Sequence, residues 1–239
     1  RRTERILVVE DNAVNRLVAI GLLDGLGFAA DTADDGDDAV AMVEQADYDL
    51  ILMDVQMPRL DGYATTRALR TREADLGLAR TPIVAMTASA VSGERERALA
   101  SGMDDFVSKP VNSSRLAEVI SLWVDAADVD LPAPASMPLH RPAHDVLDRS
   151  RLEELAELSP AYVSRVIASF HERLPDMVEA VRRAADGADL ASSAHALKGA
   201  ASNLGLVHVT ELAGQLEGLG RSDGTASEPS MTELVAAAE

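Results

Sequence analysis

Three carboxylates stand directly behind short apolar runs: Glu10 and Asp11 after Ile6-Leu7-Val8-Val9, and Asp54 after Leu50-Ile51-Leu52-Met53. Crowded carboxylates repel one another unless a divalent cation holds them. Hard oxygen ligands with open positions suit Mg²⁺, with Mn²⁺ as a substitute. One such carboxylate could also act as a nucleophile and accept a phosphoryl group as an acyl phosphate. That chemistry needs neutralisation of the phosphoryl oxygens more than acid–base help. Thr87, behind the run Pro82–Met86, offers a hydroxyl donor, and Lys109, just behind Asp105–Val107, offers a mobile cation. Each has a plainer reading alone: Asp54 as a helix cap, Thr87 as a turn residue, Lys109 as a solvated charge. Placed at the ends of four different apolar runs, they read together as one site.

A second candidate lies in the string Ala194-His195-Ala196-Leu197-Lys198-Gly199. At helical spacing, Leu190, Ala194, Leu197, Ala201 and Leu204 form a buried stripe. His195, Lys198, Gly199 and Ser202 form the adjacent stripe at i, i+3, i+4 and i+7. The imidazole is therefore expected to point outward with an ammonium one turn away. Glycine inside a helix costs about 1 kcal/mol against alanine, and Gly199 would repay that by admitting a bulky partner; the plainer reading is a packing glycine beside a surface histidine. His140, His144, His171 and His208 have no chemical neighbours of this kind. All but two of the 22 Lys and Arg residues are Arg, and the two exceptions are Lys109 and Lys198. A compact ammonium differs from a planar guanidinium fork, so both positions invite the same question: whether each serves a phosphorylatable neighbour.

The elements that must carry these residues follow from the hydrophobic pattern. Five strand candidates (6–9, 28–33, 50–53, 82–86 and 105–107) alternate with helical stretches near 13–26, 36–46, 61–73, 92–101 and 112–126. Short, continuously apolar runs are typical of strands buried on both faces. The alternation predicts an α/β doubly wound domain over 1–124 with a five-stranded parallel sheet, whose ligands bind beyond the carboxyl ends of the strands. Residues 125–146 carry Pro132, Pro134, Pro138 and Pro142 without periodicity and read as a linker. Strand signals then vanish. Helical patterns near 149–158, 160–185, 188–204, 206–219 and from 229 onward predict an all-α four-helix bundle over 147–239.

Composition removes several classes of function. The net charge is −18, with −8 over 1–124 and −7 over 146–239, and no basic run is present, which argues against nucleic-acid and anionic-membrane binding. There is no cysteine, excluding disulfides and thiolate chemistry. No apolar run reaches the roughly 18–20 residues needed to span a bilayer, and no signal peptide is evident. No Gly-x₄-Gly-Lys-Ser/Thr loop appears, so ATP chemistry is not expected here. The opening on Arg1 suggests a piece of a longer, cytoplasmic chain whose parent could be membrane-anchored, and the last helix is expected to be cut short at Glu239.

The strings Val8-Val9-Glu10-Asp11-Asn12, Leu52-Met53-Asp54-Val55-Gln56-Met57-Pro58, Ala85-Met86-Thr87-Ala88 and Phe106-Val107-Ser108-Lys109-Pro110 resemble a response-regulator receiver domain over residues 4–124. The resemblance implies that Asp54 is the phosphoacceptor and that Glu10, Asp11, Asp54 and the backbone carbonyl of Gln56 bind Mg²⁺. It implies that Thr87 and Lys109 contact the phosphoryl group and that Phe106, where many members have Tyr, is the switch aromatic. It also implies a cis Lys109–Pro110 bond. The Asn12-x-x-Asn15-Arg16 continuation is more similar to receivers fused to hybrid kinases. The string 194–205 resembles a histidine phosphotransfer (HPt) domain over 147–239. There His195 would carry the phosphoryl group on Nε2, Lys198 would offset its charge and Gly199 would admit the receiver, with Asn203 and Gly205 continuing the motif.

Together these imply the C-terminal part of a hybrid sensor histidine kinase lacking its ATP-binding domain. The expected reaction is a two-component phosphorelay from an upstream histidine kinase domain, in the same or another chain, to Asp54, then His195, then a separate response regulator. About 20 flexible linker residues span roughly 25 Å, enough for millimolar effective concentrations. Two rivals are an Mg²⁺-dependent aspartyl-phosphate phosphohydrolase and a never-phosphorylated receiver acting as an interaction module. Position 56 is Gln, where such hydrolases commonly carry a second acid.

Overall fold

In the computed structural model, residues 3–87, 92–124, 147–158, 160–222, 234, 236 and 237 are described. The chain divides into two compact units, Arg1–Ser136 and Met137–Glu239. The expected linker 125–146, with His140 and His144, lies outside the described residues. So does most of the segment expected from 229, of which Leu234 is buried.

The first unit runs β1 (Arg5–Val9), α1 (Ala13–Gly25), β2 (Ala29–Ala33), α2 (Gly36–Gln45), β3 (Leu50–Asp54), α3 (Gly62–Leu76), β4 (Ile83–Thr87), α4 (Ser92–Ser101), β5 (Asp105–Ser108) and α5 (Ser113–Trp123). The sheet order is β2-β1-β3-β4-β5 with every pairing parallel. Leu50–Asp54 and Ile83–Thr87 are buried throughout because helices cover both faces of the central strands. The edge strand β2 reads Ala-Ala-Asp-Thr-Ala and is only partly covered.

Helix starts follow their caps. Asn12 accepts hydrogen bonds from the N–H groups of Val14 and Asn15, Asp35 from Asp38, Asp61 from Ala64 and Asn112 from Arg115. Helix α3 runs three residues past the expected 73, to the left-handed Gly77 at φ 64°. No apolar stripe marks this turn, since Leu76 is exposed, so glycine sets the stop where periodicity could not. Gly62 has a different task. A Cβ there would lie 2.1 Å from the Asp54 carbonyl oxygen, so only glycine lets α3 begin against the end of β3.

The second unit holds α6 (Arg149–Leu158), α7 (Pro160–Arg183), α8 (Gly187–Asn203) and α9 (Val207–Arg221), with no strand longer than an isolated Leu147–Leu206 bridge among the described residues. The expected stripe of α8 is the buried one: Leu190, Ala194, Leu197, Ala201 and Leu204. It packs most extensively on α9, whose Val209, Leu212, Ala213 and Leu216 are also buried. Gly205 turns the chain at φ 71°, where a Cβ would lie 2.6 Å from the Asp148 carbonyl oxygen. Buried Arg151 ties α6 to this corner by donating to the main-chain and side-chain oxygens of Asn203, both at 3.2 Å. The Asn203 and Gly205 of the sequence motif thus hold the end of α8. No described helix is long and apolar enough to cross a membrane.

Candidate functional site

Strand register assembles the acidic cluster. Val9 lies opposite Met53 and Asp54 opposite Met86, so Glu10, Asp54 and Thr87 sit at adjacent strand ends. Thr87 lies opposite Ser108, and the Lys109 N–H donates to the Thr87 carbonyl at 2.6 Å, bringing Lys109 to the same edge. The Lys109–Pro110 bond is cis. The Lys109 ammonium lies 2.6 Å from Glu10 Oε2 and 2.8 Å from Asp54 Oδ2. Asp54 Oδ1 accepts the main-chain N–H of Gln56 at 3.1 Å. Carboxylate oxygens of Glu10, Asp11 and Asp54 all lie within 4.8 Å of one another.

Three carboxylates facing one ammonium leave an excess of two negative charges. Burial, and then the Glu10 charge, hold the Asp54 carboxyl well above the ordinary carboxylate value, while Lys109 and the Gln56 N–H pull the other way. Asp11 is raised for the same two reasons, in the same order. Burial alone would lower the Lys109 pKa, but Asp54 and Glu10 outweigh it and hold it above its ordinary value. A divalent hard cation fits this donor set: it would cancel the excess charge with oxygen ligands alone.

Two residues of α1 brace Glu10. Asn15 Nδ2 donates to Glu10 Oε1 at 2.8 Å, and Arg16 bridges the Glu10 carbonyl at 2.7 Å and Asp34 at 2.9 Å. Their position in the Asn12-x-x-Asn15-Arg16 string was legible; this bracing was not, because it needs α1 folded back over the end of β1. Thr87 departs from the expected geometry. Its hydroxyl donates to Glu94 of α4, so in this structure the proton expected to face a phosphoryl group is directed to a carboxylate. The ring of Phe106 packs against the core beneath the Arg95 guanidinium, 5.7 Å from its centroid.

The histidine site differs from expectation in one respect. The His195 side chain is only 14% exposed and does not simply point outward. Helix α9 supplies the reason: Nδ1 of His195 lies 2.9 Å from Oε1 of Glu217, which is itself 5% exposed. Lys198 Nζ donates to Glu217 Oε2 at 3.1 Å and Arg221 Nη2 to Oε1 at 2.5 Å. Burial alone would raise the Glu217 pKa; the hydrogen bonds and charges of His195 and Lys198 outweigh it and hold the carboxyl down at about 2. An ionised carboxylate can only accept, so Nδ1 must donate, and in the neutral ring the lone pair sits on Nε2. Gly199 is half-buried beside this pair. Glu217 and Arg221 escaped sequence reasoning. The available signal was an acid on the buried stripe of α9, with Leu212, Ala213 and Leu216. His171 and His208 are exposed.

Residues 6–121 match the family described as the response regulator receiver domain, and residues 161–239 match the Hpt domain. The chain is similar to the sensor protein GacS of Pseudomonas syringae pv. syringae, at 33% identity over 239 residues, 98% of this chain and 26% of that protein. It is similar to the aerobic respiration control sensor protein ArcB of Escherichia coli K12, at 32% identity over 216 residues, 89% of this chain and 27% of that protein. It thus spans about a quarter of the length of these curated relatives. Among solved structures, the receiver domain of sensor histidine kinase PA1611 from Pseudomonas aeruginosa PAO1, with a magnesium ion in its active site cleft, is 40% identical. It covers 52% of this chain and 100% of its own, with a TM-score of 0.47. With a parallel α/β unit and a helical unit carrying the two matched sequences in that order, the chain is a response regulator receiver domain followed by an Hpt domain, a phosphorelay module of the two-component type.

Proposed function

We propose that Asp54 accepts a phosphoryl group from the phosphohistidine of a kinase domain and passes it to His195, which hands it to an aspartate on a separate response regulator. The observation that carries this reading is that one chain holds two complementary nucleophiles. One is a buried carboxylate beside an ammonium; the other is an imidazole whose Nδ1 is tied to a carboxylate. We place the receiver over 1–124, a connecting segment over 125–146 and the phosphotransfer domain over 147–239, in the cytoplasm, where a nucleotide-dependent kinase finds its ATP.

Glu10, Asp11, Asp54 and the Gln56 carbonyl are the residues that would hold Mg²⁺, which when bound supplies charge neutralisation to the phosphoryl oxygens. In the first transfer an Asp54 oxygen attacks phosphorus, and a P–O bond forms as the P–N bond of the donor breaks, its electron pair returning to the donor nitrogen. Lys109, already on Asp54, meets the incoming negative charge, and Thr87 donates a hydrogen bond to it. In the second transfer the Nε2 lone pair of His195 attacks. A P–N bond forms and Asp54 leaves as a carboxylate, so no proton need move. The ring then carries positive charge with Nδ1–H still facing Glu217, and this carboxylate stabilises it. Lys198 offsets the phosphoryl charge, and the absent side chain of Gly199 leaves room for a receiver. The hydrolase reading lacks its second acid, since position 56 is Gln.

The test is phosphorylation by acetyl phosphate with Mg²⁺ in the unsubstituted chain, Asp54→Asn and His195→Gln. The reading expects a base-stable, acid-labile phosphohistidine in the unsubstituted chain only and a hydroxylamine-labile acyl phosphate in His195→Gln. Rapid turnover of an acyl phosphate on Asp54 to free phosphate, with no phosphohistidine formed, would favour the hydrolase.

A further inference from the structure

Thr87 has one hydroxyl proton and can donate it once. Here it goes to the Glu94 carboxylate, so any phosphoryl oxygen on Asp54 must compete with Glu94 for the same proton. Glu94 is not a loosely placed surface acid. Its helix meets β5 and α3 through two guanidinium–ring contacts: Arg95 over Phe106 at 5.7 Å and Arg97 over Tyr63 at 4.9 Å. Tyr63 is buried on α3, and its raised pKa, due first to burial and then to Glu94, fits a carboxylate held at this end of the sheet.

Resting on the reading of Asp54 as phosphoacceptor, we propose that Glu94 is a positioning residue that holds the Thr87 hydroxyl away from Asp54 and so sets how readily this receiver occupies its phosphorylated state. Glu94 acts through Thr87: it occupies the hydroxyl proton that a phosphoryl oxygen on Asp54 would otherwise take. Phosphorylation transfers the Thr87 hydrogen bond from Glu94 to the phosphoryl oxygen and releases the Glu94 carboxylate. The contacts of Arg95 and Arg97 then decide whether α4 keeps its place or moves with the freed acid.

The experiment uses the full chain with Mg²⁺ and beryllium trifluoride as the probe of the acyl-phosphate state, with binding followed by ¹⁹F NMR and fold by circular dichroism. Glu94→Ala should raise affinity for the probe about tenfold, the low end for losing a hydrogen bond to a charged group. Glu94→Gln, which keeps an acceptor oxygen without the charge, should raise it less. In a Thr87→Ala background the Glu94→Ala gain should largely disappear, because the competition has no proton to contest. An unchanged or weaker affinity in Glu94→Ala overturns the inference while leaving the phosphoacceptor assignment standing. An equal gain with and without Thr87 overturns it too, since general charge repulsion then accounts for the effect. If the unsubstituted chain fails to bind the probe and Asp54→Asn behaves alike, both this inference and the reading beneath it fall.

Discussion

Replacing Glu217 tests how the second site makes a nucleophile. Its carboxylate accepts from Nδ1 of His195 at 2.9 Å, and hydrogen bonds to a charged group contribute about 1.5–3 kcal/mol, against about 0.5–1.5 for neutral ones. The bond therefore biases the ring toward the tautomer with its lone pair on Nε2 by roughly 10- to 100-fold. On the proposed relay it would also stabilise the positive ring formed as His195 takes the phosphoryl group. In Glu217→Ala both effects vanish, and transfer from Asp54 to His195 should slow at least about tenfold. In Glu217→Gln an acceptor oxygen remains without its charge, so the rate should fall between the two, by roughly fivefold. Transfer is measured by rapid quench from chain labelled at Asp54, and the tautomer by ¹⁵N NMR of labelled histidine. Wild-type rates in Glu217→Ala, or a proton on Nε2 rather than Nδ1 in the neutral unsubstituted ring, would refute the argument.

The same carboxylate sets an acid limit. Its folded pKa of about 2 lies below the ordinary glutamate value of 4.5, so its stabilisation is complete above pH 4.5 and disappears as pH falls from there toward 2. Lys198 is partly exposed and Arg221 exposed, so water weakens both pairs and the expected loss is about 1–2 kcal/mol, absent in Glu217→Gln and read from urea unfolding followed by helical circular dichroism. Asn15→Ala should weaken Mn²⁺ binding about tenfold by freeing Glu10 Oε1, as measured by electron paramagnetic resonance; undiminished affinity would leave Asn15 a helix residue only. Gly205→Ala should cost about 2–4 kcal/mol, from a left-handed φ and a collision with the Asp148 carbonyl, and a thermal melt within about 1 kcal/mol of the unsubstituted chain would contradict it.

The acidic cluster with Thr87 and Lys109 was legible because these residues lie at or just beyond the ends of apolar runs, and strand–helix alternation predicts a parallel sheet that puts those ends on one edge. The motif residues Asn203 and Gly205 were visible too, although their work, docking α6 through Arg151 and Asp148, became clear only in the folded corner. Glu217 was hidden for a physical reason. It lies 22 positions from His195, and nothing local distinguishes it from other acids until α9 packs on α8. Glu94 sits in a highly charged helix with little amphipathic pattern, Ser-Gly-Glu-Arg-Glu-Arg, where either of its two acids, Glu94 or Glu96, could have faced Thr87. Backbone geometry chose one. The outward-facing imidazole was a misjudgement of the same kind: helical spacing gave the correct stripe, but the neighbouring helix covers part of it.

The central claim is an order of transfer between the two sites, Asp54 before His195. A kinase domain labelled on its phosphohistidine is mixed with the chain and Mg²⁺, the reaction is quenched over time, and acyl phosphate is separated from phosphohistidine by their opposite acid and base stabilities. The account predicts label on Asp54 first and on His195 after a lag, with none on His195 in Asp54→Asn and accumulation on Asp54 in His195→Gln. Label on His195 without a lag, at the same rate in Asp54→Asn, would contradict it.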